Sequence, residues 1–309
     1  MSKLYDIIIV GGGPAGMTAG IYAGRSGYKA AIIEKTGTGG QMMLTDIIDN
    51  FPGFPDGITG FELQDKMYRQ TKKFGTEIII DEIIKIRKDN EIFKLESSNN
   101  NSYHAISVIL SLGAKHKLLN VKGENEFTSK GVSYCATCDG PFFRGKSVAV
   151  IGGGDTALTE AIFLSKFCKK VFIVHRRDKF RAVQSLVNSA KRITNIEFVF
   201  NSVVEEIQGD NFVKSIKLKD KDNNIKELQV DGVFILIGLE PNTDFIDLPI
   251  LDENKYIITD ERMMTPIKGL FAAGDVRANS FRQIITGCGD GALAFHYAEE
   301  YVDEIKGNR

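Results

Sequence analysis

Two glycine-rich segments, each between an apolar run and a helical pattern, constrain the fold of this chain more than any other feature. The first, Gly11-x-Gly13-x-x-Gly16, follows the apolar run from Tyr5 to Val10, and the next apolar run ends at Glu34. In such a βαβ unit the first glycine permits a tight turn, the second lets the backbone approach a pyrophosphate, and the third lets the helix pack closely on the strand. A carboxylate at the position of Glu34 suits ribose hydroxyls, so the segment predicts a dinucleotide site, with a purely structural turn as the alternative.

The same arrangement returns in the middle of the chain. Gly152-x-Gly154-x-x-Ala157 follows the apolar run from Ser147 to Ile151, and a helical stretch and the run from Val171 to Val174 complete the unit. The chain therefore carries an internal duplication, and short β-type segments with polar turns follow each copy.

The residues after the second unit differ in charge from those after the first. His175 stands at the position equivalent to Glu34, and Arg176, Arg177 and Arg181 follow it. Guanidinium groups match a 2′-phosphate in bidentate geometry, and no carboxylate at this position repels it. The second site is therefore expected to take NADPH rather than NADH, with a solvated basic surface as the alternative.

A third apolar strand, from Gly269 to Asp275, comes near the end of the chain and is followed by a helix-like stretch from Gly291 to Tyr301. We expect this segment to return to the first domain, with crossovers near Lys115 and Phe245. The predicted fold is α/β, with two Rossmann-like dinucleotide-binding domains of three layers each, the second inserted into the first.

The two glycine-rich segments, from Gly11 to Gly16 and from Gly152 to Ala157, are called here the first and the second fingerprint. Cys135 and Cys138 form a Cys-x-x-Cys pair between them, and Asp139 follows directly. The chain has four cysteines, far too few for a secreted disulfide scaffold, so the pair indicates redox or metal chemistry in a reducing compartment. Zinc needs four ligands in a structural site, and neither the other cysteines, Cys168 and Cys288, nor the histidines show ligand spacing, so no metal is expected. We interpret the pair as a redox dithiol, with Asp139 as its proton shuttle or as a helix cap.

The charge and hydrophobicity of the chain limit the classes of partner that it is expected to bind. Lys and Arg total 39 against 40 for Asp and Glu, and the net charge of -1 gives no global field that would attract nucleic acid or an anionic membrane. The N-terminus has no signal-peptide pattern, and no segment approaches the roughly 18 apolar residues of a spanning helix. We therefore expect a cytoplasmic protein with neither a nucleic-acid partner nor a membrane partner.

These motifs resemble those of the bacterial-type, low-molecular-weight thioredoxin reductases, and the resemblance runs along the whole chain. The motifs that carry it are Cys135 to Gly140 for the active site, His175-Arg176-Arg177 with Arg181 for NADPH, Ala273 to Val276 with Arg282 and Gln283 for the second flavin segment, and Gly39-Gly40-Gln41 and Asn50 to Pro55 for the loops beside the isoalloxazine.

The resemblance implies an NADPH-dependent thioredoxin-disulfide reductase that forms a homodimer. Residues 1–114 and 246–309 would bind FAD, and residues 115–245 would bind NADPH and carry the redox motif. Electrons would pass from NADPH to FAD, then to the Cys135–Cys138 disulfide and then to oxidised thioredoxin, with domain rotation between steps. Cys138 would lie nearer the flavin, and Cys135 would attack the disulfide of thioredoxin.

The fingerprints and the resemblance together assign the cofactor-binding residues. For FAD these are Gly11, Gly13, Gly16, Glu34, Gly39, Gly40, Gln41, Asn50, Asp275, Arg282 and Gln283. For NADPH they are Gly152, Gly154, Ala157, His175, Arg176, Arg177 and Arg181.

Other functions share these motifs. A related flavin disulfide reductase would serve a peroxidase-linked or glutaredoxin-like acceptor, or would take electrons from ferredoxin, although the intact arginine set argues against ferredoxin. A redox-sensing nucleotide-binding module would use the dithiol only as a signal. Phe142 and Phe143, just after the motif, either contact an incoming thioredoxin or pack inside the domain.

Overall fold

The computed structural model describes residues 3–45 and 47–307. The chain forms two compact units, of which the first comprises the residues up to Lys115 and those from Glu240 onward, and the second comprises His116–Leu239. The predicted insertion of one α/β unit into another is confirmed. Among the helices within the described ranges, none is both long and apolar enough to cross a bilayer.

The strands are β1 Leu4–Val10, β2 Ala30–Glu34, β3 Glu77–Ile80, β4 Ile83–Asp89, β5 Ile92–Ser97, β6 Ser102–Leu110, β7 Ala114–His116, β8 Val132–Ser133, β9 Ser147–Ile151, β10 Lys170–Val174, β11 Ile196–Val199, β12 Ser202–Gly209, β13 Val213–Asp220, β14 Ile225–Gln229, β15 Gly232–Ile235, β16 Leu239–Pro241 and β17 Leu270–Ala272. The helices are α1 Pro14–Arg25, α2 Gly60–Lys73, α3 Ala136–Asp139, α4 Asp155–Ser165, α5 Gln184–Lys191 and α6 Ile284–Lys306.

The first unit is built on a sheet of seven strands. Strands β3, β2, β1 and β6 run in parallel in that order, β17 pairs with β6 in parallel, and β5 and β4 extend the sheet in antiparallel pairs. Ile7 and Ile9 belong to the core that includes residues of α1 and α6, whereas Ile8 belongs to a second core. Because both faces of the second half of β1 are buried, its sequence from Ile7 to Val10 is continuously apolar and does not alternate.

The second unit repeats the plan on a smaller scale. Strands β11, β10, β9, β15 and β8 form a parallel sheet in that order, and β12, β13 and β14 form a separate antiparallel sheet. The duplicated fingerprint therefore lies at the carboxyl end of β9, as the first lies at the carboxyl end of β1, which is where parallel α/β sheets bind ligands.

The chain passes between the units along β7 and β16, which pair with each other. It returns to the first unit at Glu240, a few residues before the predicted crossover near Phe245. The reason is local hydrogen bonding: the backbone N–H of Asn242 donates to the carbonyl of Gly113 over 3.1 Å, and its side-chain amide donates to the carbonyl of Leu112 over 2.9 Å. These bonds hold the residues just after β16 to the first unit.

Candidate active site and cofactor sites

The first fingerprint forms a cradle in which each glycine has a different reason to lack a side chain. Gly11 has φ of 108°, and a Cβ atom there would lie 2.3 Å from the carbonyl oxygen of Ser111. A Cβ atom on Gly16 would lie 1.9 Å from the carbonyl oxygen of Gly11, whereas one on Gly13 would meet nothing within 4 Å. Gly13 is also the N-cap of α1, so the open space beside it lies at the N-terminus of a helix, which fits a pyrophosphate.

Glu34 lies at the end of β2, beside this cradle. Its Oε2 atom accepts the N–H of Gly12 over 2.6 Å, and its Oε1 atom accepts the N–H of Thr36 over 3.3 Å. The carboxylate is thus held by the backbone at the position from which a ribose is recognised in this type of fold.

The loops assigned to the isoalloxazine side meet the same cradle. The N–H of Gly39 donates to the carbonyl of Gly12 over 2.8 Å, and a Cβ atom on Gly40 would lie 3.5 Å from the Cα atom of Gly13. Gln41 lies on the 3-10 turn Gly40–Leu44 that follows. Farther along, the Asn50 side-chain amide donates to Oε1 of Gln283 over 3.1 Å, so the structure joins two loops that are distant in sequence.

Asp275 follows β17 in the same unit and is partly buried. Burial raises the pKa of its carboxyl group to about 6, against the opposing effect of the Arg282 guanidinium. Within the described part of the chain, the buried Nε atom of Arg282 has no hydrogen-bond partner, and its guanidinium lies 4.8 Å from the centre of the Tyr256 ring. A partly buried carboxyl group and an unsatisfied buried donor together fit a polar ligand such as the ribityl and phosphate part of FAD.

Sequence reasoning missed Asp290, which fixes the segment that carries Asp275. Its Oδ2 atom accepts the N–H of Gly274 over 3.0 Å and forms an ion pair of 2.7 Å with Arg277. The available signal was a lone carboxylate between two glycines, Gly289 and Gly291, in a helix that has few other charges at its start.

The second fingerprint reproduces the cradle in the second unit. Gly152 has φ of 156°, and a Cβ atom there would lie 2.4 Å from the carbonyl oxygen of Leu236 and 2.8 Å from the Cβ atom of Ala157. Gly154 is the N-cap of α4, and no side chain caps this helix end. A Cβ atom added to Gly154 would meet nothing within 4 Å. The second glycine of the motif is thus open in both copies, which fits a second dinucleotide.

The motif assigns His175 to NADPH binding, whereas its side chain is buried in the structure. Its ring is 6 % exposed, a Cβ atom on Gly153 would lie 2.3 Å from it, and its Nε2 atom forms a hydrogen bond of 3.1 Å with the carbonyl group of Lys179. Burial lowers the pKa of His175, and the neighbouring arginines act in the same direction. The ring is therefore placed to organise the basic loop.

Arg176, Arg177 and Arg181 are exposed on that loop. The N–H of Arg181 donates to the carbonyl of Gly153 over 2.7 Å, which ties the loop to the second fingerprint. None of the three guanidinium groups forms an ion pair with a described residue, so their charge is available to an external anion.

The Cys135–Cys138 pair is present as a disulfide at the start of the short helix α3. Cys135 is the N-cap of that helix, and its Sγ atom accepts the N–H of Cys138 over 3.2 Å. Helix N–H groups directed at a sulfur favour its thiolate form, which is the reactive form in disulfide exchange. No group of three or more His, Cys, Asp and Glu side chains among the described residues is arranged to hold a metal ion.

Asp139 ends the same helix and is bound to the segment before it. The Ser133 hydroxyl group donates to Oδ2 of Asp139 over 2.6 Å and accepts the N–H of Cys135 over 3.1 Å. Ser133 is buried, so this link orients the predicted proton shuttle relative to the dithiol. Sequence reasoning did not single out Ser133.

The two phenylalanines after the motif differ. Phe143 is 8 % exposed and packs edge-to-face on Phe234 in the core of the second unit, whereas Phe142 is 48 % exposed. Packing therefore accounts for Phe143, and Phe142 alone stays a candidate for contact with a protein partner.

The comparisons with known proteins agree on one family. The family model for pyridine nucleotide-disulphide oxidoreductases matches residues 5–291. The thioredoxin reductase of Listeria innocua is 47 % identical over 307 residues, which cover 98 % of this chain and 96 % of that protein. That of Treponema pallidum is 44 % identical and is covered completely, by 99 % of this chain. The crystal structure of the thioredoxin reductase from Streptococcus pyogenes matches with a TM-score of 0.94 at 44 % identity, and the match covers 98 % of this chain and all of that one.

Proposed function

The chain belongs to the thioredoxin reductases within the pyridine nucleotide-disulphide oxidoreductase family, and from this membership we propose that it reduces the disulfide of a thioredoxin with electrons from NADPH. It is an NADPH-dependent flavoprotein disulfide oxidoreductase.

One observation in the structure carries the proposal. The Cys135–Cys138 disulfide caps a helix in the same unit as the second fingerprint and its basic loop, and Ser133 binds Asp139 beside it. A disulfide placed at helix N–H groups with a carboxyl group beside it suits exchange with another disulfide. A purely structural bridge needs neither feature.

Two sets of residues would hold the cofactors. In the first unit, Gly13, Glu34, Asp275 and Arg282 supply the open cradle, the acceptor for ribose and the partly buried polar groups that fit FAD. In the second unit, Gly154 supplies the open cradle, and the basic loop with Arg176, Arg177 and Arg181 supplies the cationic groups that fit the 2′-phosphate of NADPH. His175 would position that loop.

When FAD is bound, it supplies two-electron chemistry between a nicotinamide and a disulfide. The chain's own residues then perform the exchange. The Cys135 thiolate attacks one sulfur of the oxidised thioredoxin, a mixed disulfide forms, and the other thioredoxin sulfur leaves and takes a proton. Cys138 then attacks Sγ of Cys135, which restores the Cys135–Cys138 disulfide and releases the second thioredoxin thiol. Asp139 is assigned to hold and deliver the proton.

The exchange requires the dithiol to meet first the flavin and then a protein substrate. Because the chain passes between the units only along β7 and β16, we propose that the second unit reorients between these two steps, with these strands as the hinge. Homodimer formation and a cytoplasmic location also belong to the proposal. Sedimentation analysis tests the first, and fractionation of the source cells tests the second.

The experiment that tests the function is an acceptor comparison. NADPH oxidation by the flavin-loaded protein is followed with a thioredoxin, a glutaredoxin and a disulfide peroxidase from the same organism, each at matched concentration. We expect kcat/KM for thioredoxin to exceed that for the other two by at least a hundredfold. A higher kcat/KM for the glutaredoxin or the peroxidase would reassign the acceptor, and failure with all three would leave the ferredoxin-dependent and redox-sensing alternatives.

A further inference from the structure

Glu160 lies on the helix of the second fingerprint, yet its side chain is directed at the dithiol turn. It occupies the middle of α4, and its Oε2 atom accepts the N–H of Ala136 over 2.6 Å. Ala136 is completely buried and is the first residue of α3, directly after Cys135. One side chain thus joins the phosphate-facing helix to the active-site turn.

The surroundings of this carboxylate are unusual for a glutamate. The side chain is partly buried, and burial raises the pKa of Glu160 while the Ala136 N–H opposes that rise. No described Lys, Arg or His forms an ion pair with it. Leaving a carboxyl group in such a place costs free energy that an uncharged acceptor would avoid.

The charge lies close to the reactive sulfur. The N atom of Ala136 is only a few covalent bonds from Sγ of Cys135, so the carboxylate that contacts this N atom lies within about 7 Å of the sulfur. Helix N–H groups lower the pKa of a thiol at an N-cap, and a carboxylate at this distance raises it. The two effects oppose each other at Cys135.

Other titratable groups lie near the turn, among them His116, whose ring stacks on that of Tyr134 at 5.1 Å between centroids. Asp139, on the turn itself, is bound by Ser133, and Glu124 accepts the hydroxyl group of Tyr134, the residue before Cys135. The residues nearest Gly140, which are Phe163 and Leu164 of α4 and Phe167 just after it, carry no charge. Glu160 is therefore the carboxylate that α4 contributes to the dithiol.

We propose that Glu160 is a positioning residue for the dithiol: it holds the active-site turn through the N–H of Ala136, and its charge sets the proton affinity of Cys135 after the disulfide is reduced. The inference rests on the proposed function only in taking this dithiol as the reacting group. A thiol attacks a disulfide best when its pKa is near the ambient pH, so a carboxylate that offsets the helix N–H groups keeps Cys135 in that range.

The test separates the charge from the hydrogen bond. Flavin-loaded wild type, Glu160→Gln, Glu160→Ala and the exposed-site control Glu205→Gln are reduced with dithiothreitol, and the reductant is removed. The rate of alkylation at Cys135 by iodoacetamide is then measured by peptide mass spectrometry from pH 5 to pH 10. Hydrogen exchange at the Ala136 N–H is measured on the same four proteins.

Gln keeps an acceptor but removes the charge, so Glu160→Gln should shift the midpoint of Cys135 alkylation down by about one pH unit and leave the Ala136 exchange rate unchanged. Glu160→Ala should speed that exchange at least tenfold, and Glu205→Gln should change neither quantity. A merely structural role predicts an unchanged alkylation midpoint in Glu160→Gln, and that result would overturn the proposal.

The outcome does not depend on the acceptor. The alkylation assay contains neither thioredoxin nor NADPH, so an unchanged midpoint in Glu160→Gln refutes this inference even if wild type reduces thioredoxin. Conversely, a wild type that fails with thioredoxin refutes the proposed function, while the shift in the midpoint still supports the role of Glu160.

Discussion

Glu34 ends one parallel strand and Asp275 follows another in the same sheet, but their surroundings differ. Glu34 accepts two backbone N–H groups, which hold its carboxyl group in place. Asp275 is partly buried, and this burial raises its pKa to about 6 from the ordinary 3.8. A carboxyl group with a raised pKa in the folded protein destabilises the fold once it ionises, so Asp275 is retained at a cost to stability.

This cost gives Asp275→Asn two expected effects. Flavin content should fall, because a hydrogen bond to a buried polar ligand is worth about 1 to 3 kcal/mol. The flavin-free variant should be more stable than flavin-free wild type above pH 6, by on the order of 3 kcal/mol, and equal to it near pH 4, where Asp275 is protonated.

Thermal unfolding of the two flavin-free proteins from pH 4 to pH 8 measures this difference, with the exposed-site variant Asp247→Asn as the control. A difference that stays constant over this range would show that the charge of Asp275 does not affect stability.

The exposed arginines of the second unit give a prediction about coenzyme choice. Charge-assisted hydrogen bonds contribute roughly 1.5 to 3 kcal/mol each, so neutralising Arg176 and Arg177 together should raise KM for NADPH by two or more orders of magnitude. KM for NADH should barely change, because NADH lacks the 2′-phosphate. Steady-state kinetics with both coenzymes makes the comparison, and a parallel loss for both would mean that the arginines are structural.

At the scale of elements, α6 shows where prediction from sequence stops short. The pattern predicts a helix from Gly291 to Tyr301, whereas the helix begins at Ile284 and ends at Lys306. Three glycines near its start have low intrinsic helix propensity, so the local sequence disfavours a helix there. Tertiary packing overrides that preference, because a Cβ atom on Gly291 would lie 2.1 Å from the carbonyl oxygen of Ala15 in α1.

This contact predicts opposite effects for two glycines of α6. Gly291→Ala should destabilise the protein by about 1 to 3 kcal/mol and lower its flavin content, because α1 begins at the first fingerprint and would be pushed aside. Gly289→Ala is the matched control: an added Cβ atom there meets nothing within 4 Å, so stability should rise by about 0.5 to 1 kcal/mol. Denaturant unfolding of both variants measures the two effects, and equal changes in stability would refute the packing argument.

Prediction of the functional sites from sequence also stops at contacts that form only in the folded chain. The fingerprints, the dithiol and the exposed arginines were predictable because each motif joins residues that are close in sequence. Ser133, Glu160 and Asp290 were not predicted, because their roles arise from contacts that only the folded chain brings together. His175 was assigned to NADPH by its position in the motif, whereas its burial depends on Gly153 and Phe180.

At the scale of the whole molecule, an α/β unit with the dithiol is inserted into another α/β unit, and each unit has its own open dinucleotide cradle. The internal repeat and the return of β17 to the first sheet made this architecture predictable from the sequence. Where the second crossover falls depended on the hydrogen bonds of Asn242, which no sequence pattern indicates.

The central claim is that electrons enter at the nucleotide sites and leave through the dithiol. The most direct measurement compares wild type with Cys135→Ser, following flavin absorbance on addition of NADPH and thioredoxin reduction in the same samples. We predict that NADPH bleaches the flavin in both proteins, whereas thioredoxin reduction by Cys135→Ser falls at least a thousandfold. Full turnover of thioredoxin by Cys135→Ser would contradict the account, because it would remove the dithiol from the electron path.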